Sequence, residues 1–394
     1  MPMNYIDLFA GCGGLSLGLY NAGWHGLFAI EKNDDAFLTL KSNLIDKKAH
    51  YSWPEWLEKS SLDIYEVIKN HSDQLKKMQG HVDLVVGGPP CQAYSVAGRV
   101  RDENGMNDDY RNYLFEHYLN VVDRYKPRLF VFENVPGILS ATPSGVPITS
   151  LIRKGFSDIG YEIIDDLKTA KVNAADYGVP QNRERVIIVG ISKKYCNDIQ
   201  TELARFYNEI LPKYKSPKKT TVREAIDDLP VCDPFWDSEH HQKRKSHNEP
   251  ISNHTWHKPR YHNLRDMDTF RILAEDIETG ARKYDSKKIS ELYEMKIGSK
   301  SPIHRYHVLE ADLPSTTIIA HLYKDGNRFI HYDSKQSRSI TVREAARLQS
   351  FDDDFDFVGS QGHAYQMIGN AVPPLLAKNI ALALSELLDE MNKE

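Results

Sequence analysis

The sequence predicts an α/β protein with a mostly parallel β-sheet. Short apolar runs alternate with segments of helical periodicity, which is typical of a parallel sheet covered by helices. Most of these runs end at glycine, proline or polar residues, as strands of such sheets do. Five strand-like runs carry the prediction: 5–9, 26–30, 82–86, 128–132 and 185–191.

The first strand runs into a glycine-rich turn at 11–14 and then into a helix. Glycines at this point let the backbone approach a nucleotide-type cofactor closely. Glu31 ends the next strand, where a carboxylate can accept hydrogen bonds from ribose hydroxyls. Ser16 stands where the dinucleotide fingerprint requires a third glycine, which favours an adenosyl ligand without a pyrophosphate. The alternative is a plain turn that binds nothing.

Two later strand ends carry reactive side chains. Cys91 follows Pro89-Pro90 at the carboxyl end of a buried strand, where open α/β sheets bind ligands. A cysteine acts as a nucleophile only as a thiolate, so nearby cations are needed to lower its pKa. Glu133 ends the strand that follows the predicted helix 113–125 and could donate a proton if burial raised its pKa. The alternatives are a buried structural cysteine and a helix cap or salt bridge.

The segment 181–185, Gln-Asn-Arg-Glu-Arg, precedes the strand-like run at 185–191. Alternate residues of an extended segment share a face, so Gln181, Arg183 and Arg185 could point the same way. The two arginines are the candidate cations for Cys91. The alternative is a solvated run of charges.

From residue 191 the composition changes. Residues 191–340 hold 26 Lys+Arg against 22 Asp+Glu and 10 of the 16 histidines, whereas the whole chain has a net charge of −5. A mildly basic segment in an acidic chain is expected where a protein approaches phosphates. Strand-like pieces at 315–322 and 327–332 and helices at 341–349 and 374–391 follow.

The bulk composition indicates an ordinary globular protein, with 41% hydrophobic and 27% charged residues among 394. We expect no membrane span, since no apolar run is long enough, and no secretory signal. The four cysteines form no C-x-x-C pair and the histidine spacings match no zinc pattern, so we predict no metal site and a cytoplasmic protein.

Taken together, the segments resemble the DNA (cytosine-5)-methyltransferase family of bacterial restriction–modification systems. The resemblance covers roughly 1–190 and 340–394, in the family's order. Its motifs are DLFAGCGGLSLGL (7–19), GGPPCQAYS (87–95), ENV (133–135), QNRER (181–185), VREAARLQSF (342–351) and GNAVPP (369–374). Asp352 departs from the proline of many bacterial members, which we expect to change only a loop.

The resemblance implies a Rossmann-like S-adenosylmethionine-dependent methyltransferase fold with an inserted domain. The catalytic domain would comprise 1–190 plus 340–394, and the target-recognition domain 191–339. It implies a methyl transfer from S-adenosylmethionine to carbon 5 of a cytosine flipped out of duplex DNA, through a covalent Cys91 adduct. Glu133 would act at ring N3, and Arg185, with Arg183, at the base carbonyl. Arg343 and Arg347 would brace the recognition region.

The remaining roles are likewise carried over from the family. Gln92, Ser95 and Arg99 would contact DNA from a closing loop. The predicted cofactor residues are Phe9, Gly11, Gly13, Glu31, Lys32, Asp63, Ile64, Pro89, Asn370 and Val372.

Two other functions stay open from the sequence. One is a tRNA cytosine-5 methyltransferase, although the cysteine motif lacks the Cys-Phe-Thr variant of those relatives. The other is a sequence-specific DNA-binding protein without catalysis. We expect a monomer acting on double-stranded DNA, with a separate cognate restriction endonuclease as its possible counterpart. The recognition sequence and the base that removes the carbon-5 proton cannot be read from the chain.

Overall fold

The computed structural model describes residues 3–89, 111–142, 145–299, 306–324 and 326–393. The chain forms two compact units. The first comprises Met1–Gly178, Glu184–Pro217 and Val372–Glu394, and the second Val179–Arg183 and Lys218–Ala371. These boundaries differ from the predicted ones, because 191–217 belongs to the first unit and 340–371 to the second.

The first unit contains a seven-stranded sheet in the order β2-β1-β3-β4-β7-β5, with β6 also paired to β7. Three pairings are parallel (β1 with β2, β1 with β3, β3 with β4) and the three that involve β7 are antiparallel. The α/β fold is therefore as predicted, with a mixed sheet. The strands are β1 Asn4–Leu8, β2 His25–Ile30, β3 Leu84–Gly87, β4 Leu129–Asn134, β5 Tyr161–Ile163, β6 Lys171–Asn173 and β7 Glu184–Ser192.

The helices of the two units follow in chain order. In the first unit they are α1 Gly14–Asn21, α2 Asp34–Leu40, α3 Ile64–Asn70, α4 Ser72–Lys77, α5 Arg111–Tyr125, α6 Ile148–Asp158 and α7 Ile199–Arg205, with α14 Pro374–Met391 after the second unit. In the second unit they are α8 Val222–Ile226, α9 Ser238–Gln242, α10 Leu264–Glu278, α11 Ser286–Ile297, α12 Val342–Leu348 and α13 Gln361–Asn370. Short 3-10 or π segments are Lys41–Lys47, Pro136–Ser140, Ala174–Tyr177, Phe206–Ile210, Leu211–Tyr214, Ala320–Tyr323 and Gly326–Arg328.

The C-terminal helix α14 packs against α1 and so completes the first unit. A Cβ at Gly18 would lie 2.3 Å from Cβ of Ala377 and 2.5 Å from the Pro374 carbonyl oxygen, so only glycine permits this approach. Trp24 Nε1 donates to the carbonyl oxygen of Ala381 at 3.2 Å. By length and composition 361–391 could cross a membrane, but most of its apolar window is buried in the protein, as in a core helix of a soluble protein.

The second unit is built around buried polar contacts. Arg338 and Glu344 are both 1% exposed and form a bidentate pair at 2.7 and 2.6 Å. Glu344 also belongs to a capping box with Thr341 at the start of α12. A small apolar core lies beside α10 and α11, formed by Phe270, Leu273, Ala274, Leu292, Tyr306, Val308 and Ile330.

The strands predicted at 315–322 and 327–332 are wrong. The structure has 3-10 turns at Ala320–Tyr323 and Gly326–Arg328, with only isolated bridges nearby. In the first of these segments, the backbone groups of Ile318 bond to side chains and not to a neighbouring strand. Its N–H donates to Gln181 Oε1 and its carbonyl oxygen accepts from Arg183. The helices predicted at 341–349 and 374–391 are confirmed.

Candidate active site

The glycine turn, residues 9–14, follows β1 in a strained conformation. Phe9, Gly11 and Gly13 all have positive φ angles, of 60°, 57° and 93°. A non-glycine residue in this region costs free energy and is found where the surroundings impose it, often at functional sites. A Cβ on Gly11 would meet no atom within 4 Å, so this part of the turn borders open space into which a ligand could fit.

Glu31 lies directly after β2 and holds the turn. Its Oε2 accepts from the Gly11 N–H at 2.8 Å and its Oε1 from the Asn33 N–H at 2.7 Å. Burial raises the pKa of Glu31, although these backbone hydrogen bonds act in the opposite direction. Each carboxylate oxygen can accept a further hydrogen bond, which suits the ribose hydroxyls of an adenosyl group.

Other predicted cofactor residues of the first unit follow strands β2 and β3 or begin helix α3. Lys32 Nζ forms an ion pair with Asp63 Oδ2 at 2.7 Å. Although partial burial opposes it, the hydrogen bonds from Lys32 and from the Tyr65 N–H lower the pKa of Asp63. Ile64 and Pro89 are buried. The lysine therefore holds the aspartate, which was not anticipated from the sequence.

The last two predicted cofactor residues are close together in the sequence but belong to different units. Asn370 is the final residue of α13 in the second unit and is exposed. Val372 begins the returning segment of the first unit and is 8% exposed.

Glu133 and Arg185 form an ion pair on neighbouring antiparallel strands. Glu133 lies near the carboxyl end of β4 and Arg185 near the start of β7, and Arg185 Nε lies 2.8 Å from Glu133 Oε1. Their side chains are only 14% and 11% exposed. Burial lowers the pKa of Arg185, and the attraction of Glu133 opposes that shift. The pair is thus a largely desolvated charge pair at the sheet edge where α/β folds bind ligands.

Gly88 makes room for the Glu133 carboxylate. A Cβ on Gly88 would lie 2.6 Å from Glu133 Oε2, and a Cβ on Gly87 would lie 2.4 Å from the Leu8 carbonyl oxygen. Gly87 is therefore required by packing against backbone, whereas an alanine at Gly88 would displace only the Glu133 side chain. The predicted site residues Cys91, Gln92, Ser95 and Arg99 lie outside the described residues.

Arg183 has a different set of partners from Arg185. It is 1% exposed, in the second unit, and donates to the carbonyl oxygens of Ile318 (2.8 Å), Gly369 (2.9 Å) and Ala371 (3.0 Å). The expected common face of Gln181, Arg183 and Arg185 is therefore divided, since only Gln181 and Arg183 share a neighbour in Ile318. The buried guanidinium binds backbone where the sequence suggested contact with a base carbonyl.

Gln181 and Gln349 complete this buried group, and neither was predicted as a functional residue. Gln181 Nε2 donates to the Leu348 carbonyl at 3.1 Å and to Gln349 Oε1 at 2.5 Å. Gln349 Nε2 donates to the Ala371 carbonyl at 2.6 Å. We call Gln181, Arg183 and Gln349 the polar node. The motif at 181–185 already drew attention to Gln181 and Arg183. Their hydrogen-bond partners could not be predicted, because those residues are far away in the sequence.

Arg343 and Arg347 have the bracing contacts that the resemblance implied. Arg343 is fully buried and donates to the Asp352 and Phe355 carbonyls at 3.1 and 3.0 Å. Arg347 forms ion pairs with Asp228 and Asp353 at 2.5 and 2.7 Å. Asp352, the departure from the family pattern, thus contributes only its backbone to this contact.

No group of three or more His, Cys, Asp or Glu that could hold a metal ion occurs among the described residues. Two of the buried histidines have other partners: His247 Nε2 lies 2.8 Å from the Gln336 carbonyl oxygen and His257 Nε2 lies 2.7 Å from that of Pro230.

Comparison with known proteins decides the family. The family described as C-5 cytosine-specific DNA methylase matches residues 3–386. The chain belongs to the C-5 cytosine-specific DNA methylase family. It is 32% identical to the Type II methyltransferase M.Bpa9945I of Bacillus paralicheniformis, over 98% of this chain and 99% of that one. It is 30% identical to the Type II methyltransferase M.DdeI of Desulfomicrobium norvegicum, over 99% and 90%.

Solved structures agree with this membership. An E. coli prophage protein titled a DNA modification methyltransferase has a TM-score of 0.62 and 28% identity, covering 98% of this chain and 99% of its own. The Dnmt2 methyltransferase of S. pombe has a TM-score of 0.55 at 15% identity, covering 99% and 100%, and shows the fold alone.

Membership in the methylase family confirms several predictions. The protein is an enzyme that transfers a methyl group to carbon 5 of cytosine in DNA, and S-adenosylmethionine is its cofactor. The glycine turn and the Glu31 carboxylate fit that cofactor, since they offer open space beside a backbone turn and a hydrogen-bond acceptor for an adenosyl ribose.

Proposed function

We propose that Cys91, Glu133 and Arg185 form the catalytic centre of this cytosine methylase. The observation that supports it is the Glu133–Arg185 ion pair. The pair lies beside Gly88, and Gly88 precedes Cys91 by three residues in the sequence. A desolvated carboxylate that is paired with a guanidinium at this end of the sheet can hydrogen-bond to one edge of a flipped base. Arg183, with its backbone partners, is assigned a positioning role in place of the catalytic one expected from the sequence.

The reaction needs a nucleophile because carbon 5 of cytosine is itself unreactive. The Cys91 thiolate adds to carbon 6, and the electron pair of the carbon 5–carbon 6 bond moves into the ring. Glu133 shares a proton with ring N3 and stabilises the charge that develops there. Arg185 orients Glu133 and lies toward the base carbonyl. S-adenosylmethionine supplies the methyl group that carbon 5 accepts. A base then removes the carbon-5 proton, and Cys91 leaves as thiolate.

The cofactor would be held by the glycine turn and the other predicted binding residues. Phe9, Gly11 and Gly13 give the turn its shape, and Glu31 accepts from the ribose. Asp63, positioned by Lys32, and Ile64 lie toward the adenine in this proposal. Pro89, Asn370 and Val372 complete the binding residues. The support is the chemistry of the donor set and its agreement with the order of family motifs.

DNA would be contacted by two parts of the chain. Gln92, Ser95 and Arg99, which follow the nucleophile in the sequence, would approach the phosphates and the space left by the flipped base. The second unit would read the recognition sequence. We further propose that the enzyme is a Type II methyltransferase, as the names of its relatives state for those proteins, and protects DNA from a separate restriction endonuclease. It would act as a monomer in the cytoplasm.

Single-base mapping of 5-methylcytosine tests the function. The enzyme is incubated with S-adenosylmethionine and mixed-sequence duplex DNA, and in parallel with tRNA. Methylation confined to one short DNA motif is the expected result. Equal or greater methylation of tRNA would overturn the proposed substrate.

A trapping experiment tests the nucleophile separately. Duplex DNA with 5-fluorocytosine at the mapped position has no carbon-5 proton to remove, so the covalent adduct should persist on denaturing gels. Cys91→Ala should give no adduct and no turnover while still binding cofactor. Cys196→Ala, which alters a partly exposed cysteine that forms no disulfide, should behave as wild type. An adduct in the Cys91→Ala variant would exclude Cys91.

A further inference from the structure

Asp7 and Ser16 are joined by a hydrogen bond that spans the glycine turn. Ser16 Oγ donates to Asp7 Oδ2 at 2.5 Å. Asp7 lies in β1 and Ser16 in α1, so the bond ties together the two elements that the turn connects. Ser16 stands at the position of the third glycine of the dinucleotide fingerprint. Its hydroxyl makes a hydrogen bond that a glycine could not make.

The Asp7–Ser16 bond is the end of a buried chain of hydroxyl groups. Tyr51 Oη donates to Ser16 Oγ at 2.6 Å, and Tyr5 Oη lies 3.4 Å from Tyr51 Oη. His50 Nε2 lies 2.6 Å from Tyr5 Oη. The chain fixes the direction of the Ser16 hydroxyl, because Ser16 accepts from Tyr51 and must therefore donate to Asp7.

The other oxygen of Asp7 has no hydrogen-bond partner among the described residues. Asp7 is 1% exposed, and its Oδ1 is buried and unpaired. A buried charge with an unpaired oxygen is costly, whereas a neutral carboxyl group avoids most of that cost. Because Asp7 is buried, its side chain does not serve to solvate the protein surface and must have another role.

We propose that Asp7 is a positioning residue for S-adenosylmethionine: its carboxyl group fixes the glycine turn through Ser16, and a negative charge on it would repel Glu31 and weaken cofactor binding. The turn needs such support because Phe9 is held at a φ of 60°. The inference rests on the proposed cofactor role of this turn.

The surroundings of Asp7 place the change near neutral pH. Burial raises the pKa of Asp7 to about 7, the hydrogen bond from Ser16 opposes the shift, and the charge of Glu31 adds to it. Above that pH two carboxylates would face the same turn, so the turn should loosen. The titratable groups that face Asp7 are Glu31 after β2, Tyr5 in β1, Tyr51 after β2 and Tyr118 in α5.

The test measures the Kd of the full-length enzyme without DNA for S-adenosylmethionine by calorimetry, from about pH 6 to about pH 8.5. If only the neutral form is competent, the apparent Kd of the wild type should rise about 30-fold over this range. Asp7→Asn, which stays neutral, should show a flat profile near the wild-type value at low pH. Ser16→Ala should bind more weakly at every pH.

A second readout needs no ligand. In the wild type, the peptide that covers the glycine turn should lose protection from hydrogen exchange as the pH rises, after correction for intrinsic exchange. Asp7→Asn should show no such loss.

S-adenosylhomocysteine, which lacks the sulfonium charge, should show the same dependence of Kd on pH as the cofactor if positioning is the cause. A profile seen only with the sulfonium would assign the effect to ligand charge and overturn the proposal.

Two controls separate this inference from the proposed cofactor site. Asp83→Asn removes a carboxylate at the opposite end of the sheet, where it accepts from the Asn4 N–H, and should keep the wild-type profile. Glu31→Gln should weaken binding at every pH. If Glu31→Gln binds normally, the proposed cofactor site fails. If it binds weakly but Asp7→Asn keeps the wild-type profile, only the role of Asp7 fails.

Discussion

At the scale of single residues, the site depends on glycines that leave space for charged side chains. Gly88 is the clearest case, because the Glu133 carboxylate occupies the volume that a Cβ would need. Its backbone has no left-handed φ, so an alanine would be accepted by the backbone and would act on the carboxylate alone. This permits a substitution that displaces Glu133 without removing it.

We expect Gly88→Ala to lower kcat by roughly 100-fold, because a shift of about 1 Å in a reacting group has that order of effect. The free energy of unfolding and the cofactor Kd should change little. Single-turnover methylation and thermal unfolding check both points. Gly362→Ala is the matched control, since a Cβ there would meet no atom nearer than 3.7 Å. A Gly88→Ala enzyme with wild-type kcat would contradict the proposed role of Glu133.

The pKa of Asp7 also predicts how stability depends on pH. It rises from 3.8 to about 7 on folding, so between these values the folded protein binds more protons than the unfolded chain. The stability from Asp7 is therefore complete below about pH 4 and is lost as the pH rises through about 7. Asp7→Asn lacks this loss and should gain relative to wild type by roughly 1 kcal/mol for each pH unit in that window. Urea midpoints measured across the window check it, and parallel curves for the two proteins would contradict it.

At the scale of elements, the sequence predicted structure where a segment's own pattern decides it. The strand-like runs at 5–9, 26–30 and 128–132 became β1, β2 and β4, because buried strands of a sheet read as continuous apolar runs. The run at 185–191 became β7, but nothing in the run itself indicates that β7 is antiparallel to β4. Strand direction depends on the connection between strands, which here includes a segment belonging to the second unit.

Prediction failed where partners distant in sequence decide the structure. The apolar stretch 315–322 has the composition of a strand, yet its backbone groups at Ile318 bond to Gln181 and Arg183. The same limit hid the role of Arg183, since its acceptors Gly369 and Ala371 are 186 and 188 residues away. By contrast the strand-end positions of Glu31 and Glu133 could be predicted, because position at a strand end is a local property.

The polar node gives an element-scale prediction. Arg183→Met removes the donor to three buried carbonyl groups, so we expect the second unit to lose ~3–5 kcal/mol of stability. The midpoint of thermal unfolding and the hydrogen exchange of the α12 and α13 peptides measure this. Arg343→Met is the comparison, because that arginine is equally buried but bonds to Thr255, Asp352 and Phe355.

The two variants should differ in where protection is lost. Arg183→Met should expose the 318–320 and 369–371 segments, and Arg343→Met the 255 and 352–355 segments. If Arg183→Met retained wild-type stability and instead abolished only the chemical step, the catalytic role first expected for Arg183 would be restored.

At the scale of the whole molecule, the first unit is assembled from three stretches of chain, of which the last returns after the second unit. The returning helix α14 contacts α1 at Gly18 and accepts a hydrogen bond from Trp24, which follows α1. Tyr214 of the middle stretch donates to Glu386 at 2.9 Å. The glycine turn immediately precedes α1. The position of the proposed cofactor site therefore depends on residues at the opposite end of the sequence.

Removal of helix α14 should prevent the first unit from folding. Helix α14 buries five large aliphatic side chains, Leu376, Ile380, Leu384, Leu387 and Leu388. At ~1.5–3 kcal/mol each, their burial is comparable with the entire stability of a typical domain, about 5–15 kcal/mol. A chain ending at Ala371 should thus show no cofactor binding by calorimetry and no protection of the β1 and α1 peptides. A chain ending at Met391 loses an exposed hydrogen bond between Arg128 and Asn392 and should bind as wild type. Normal cofactor affinity in the shorter chain would mean that α14 does not support the site.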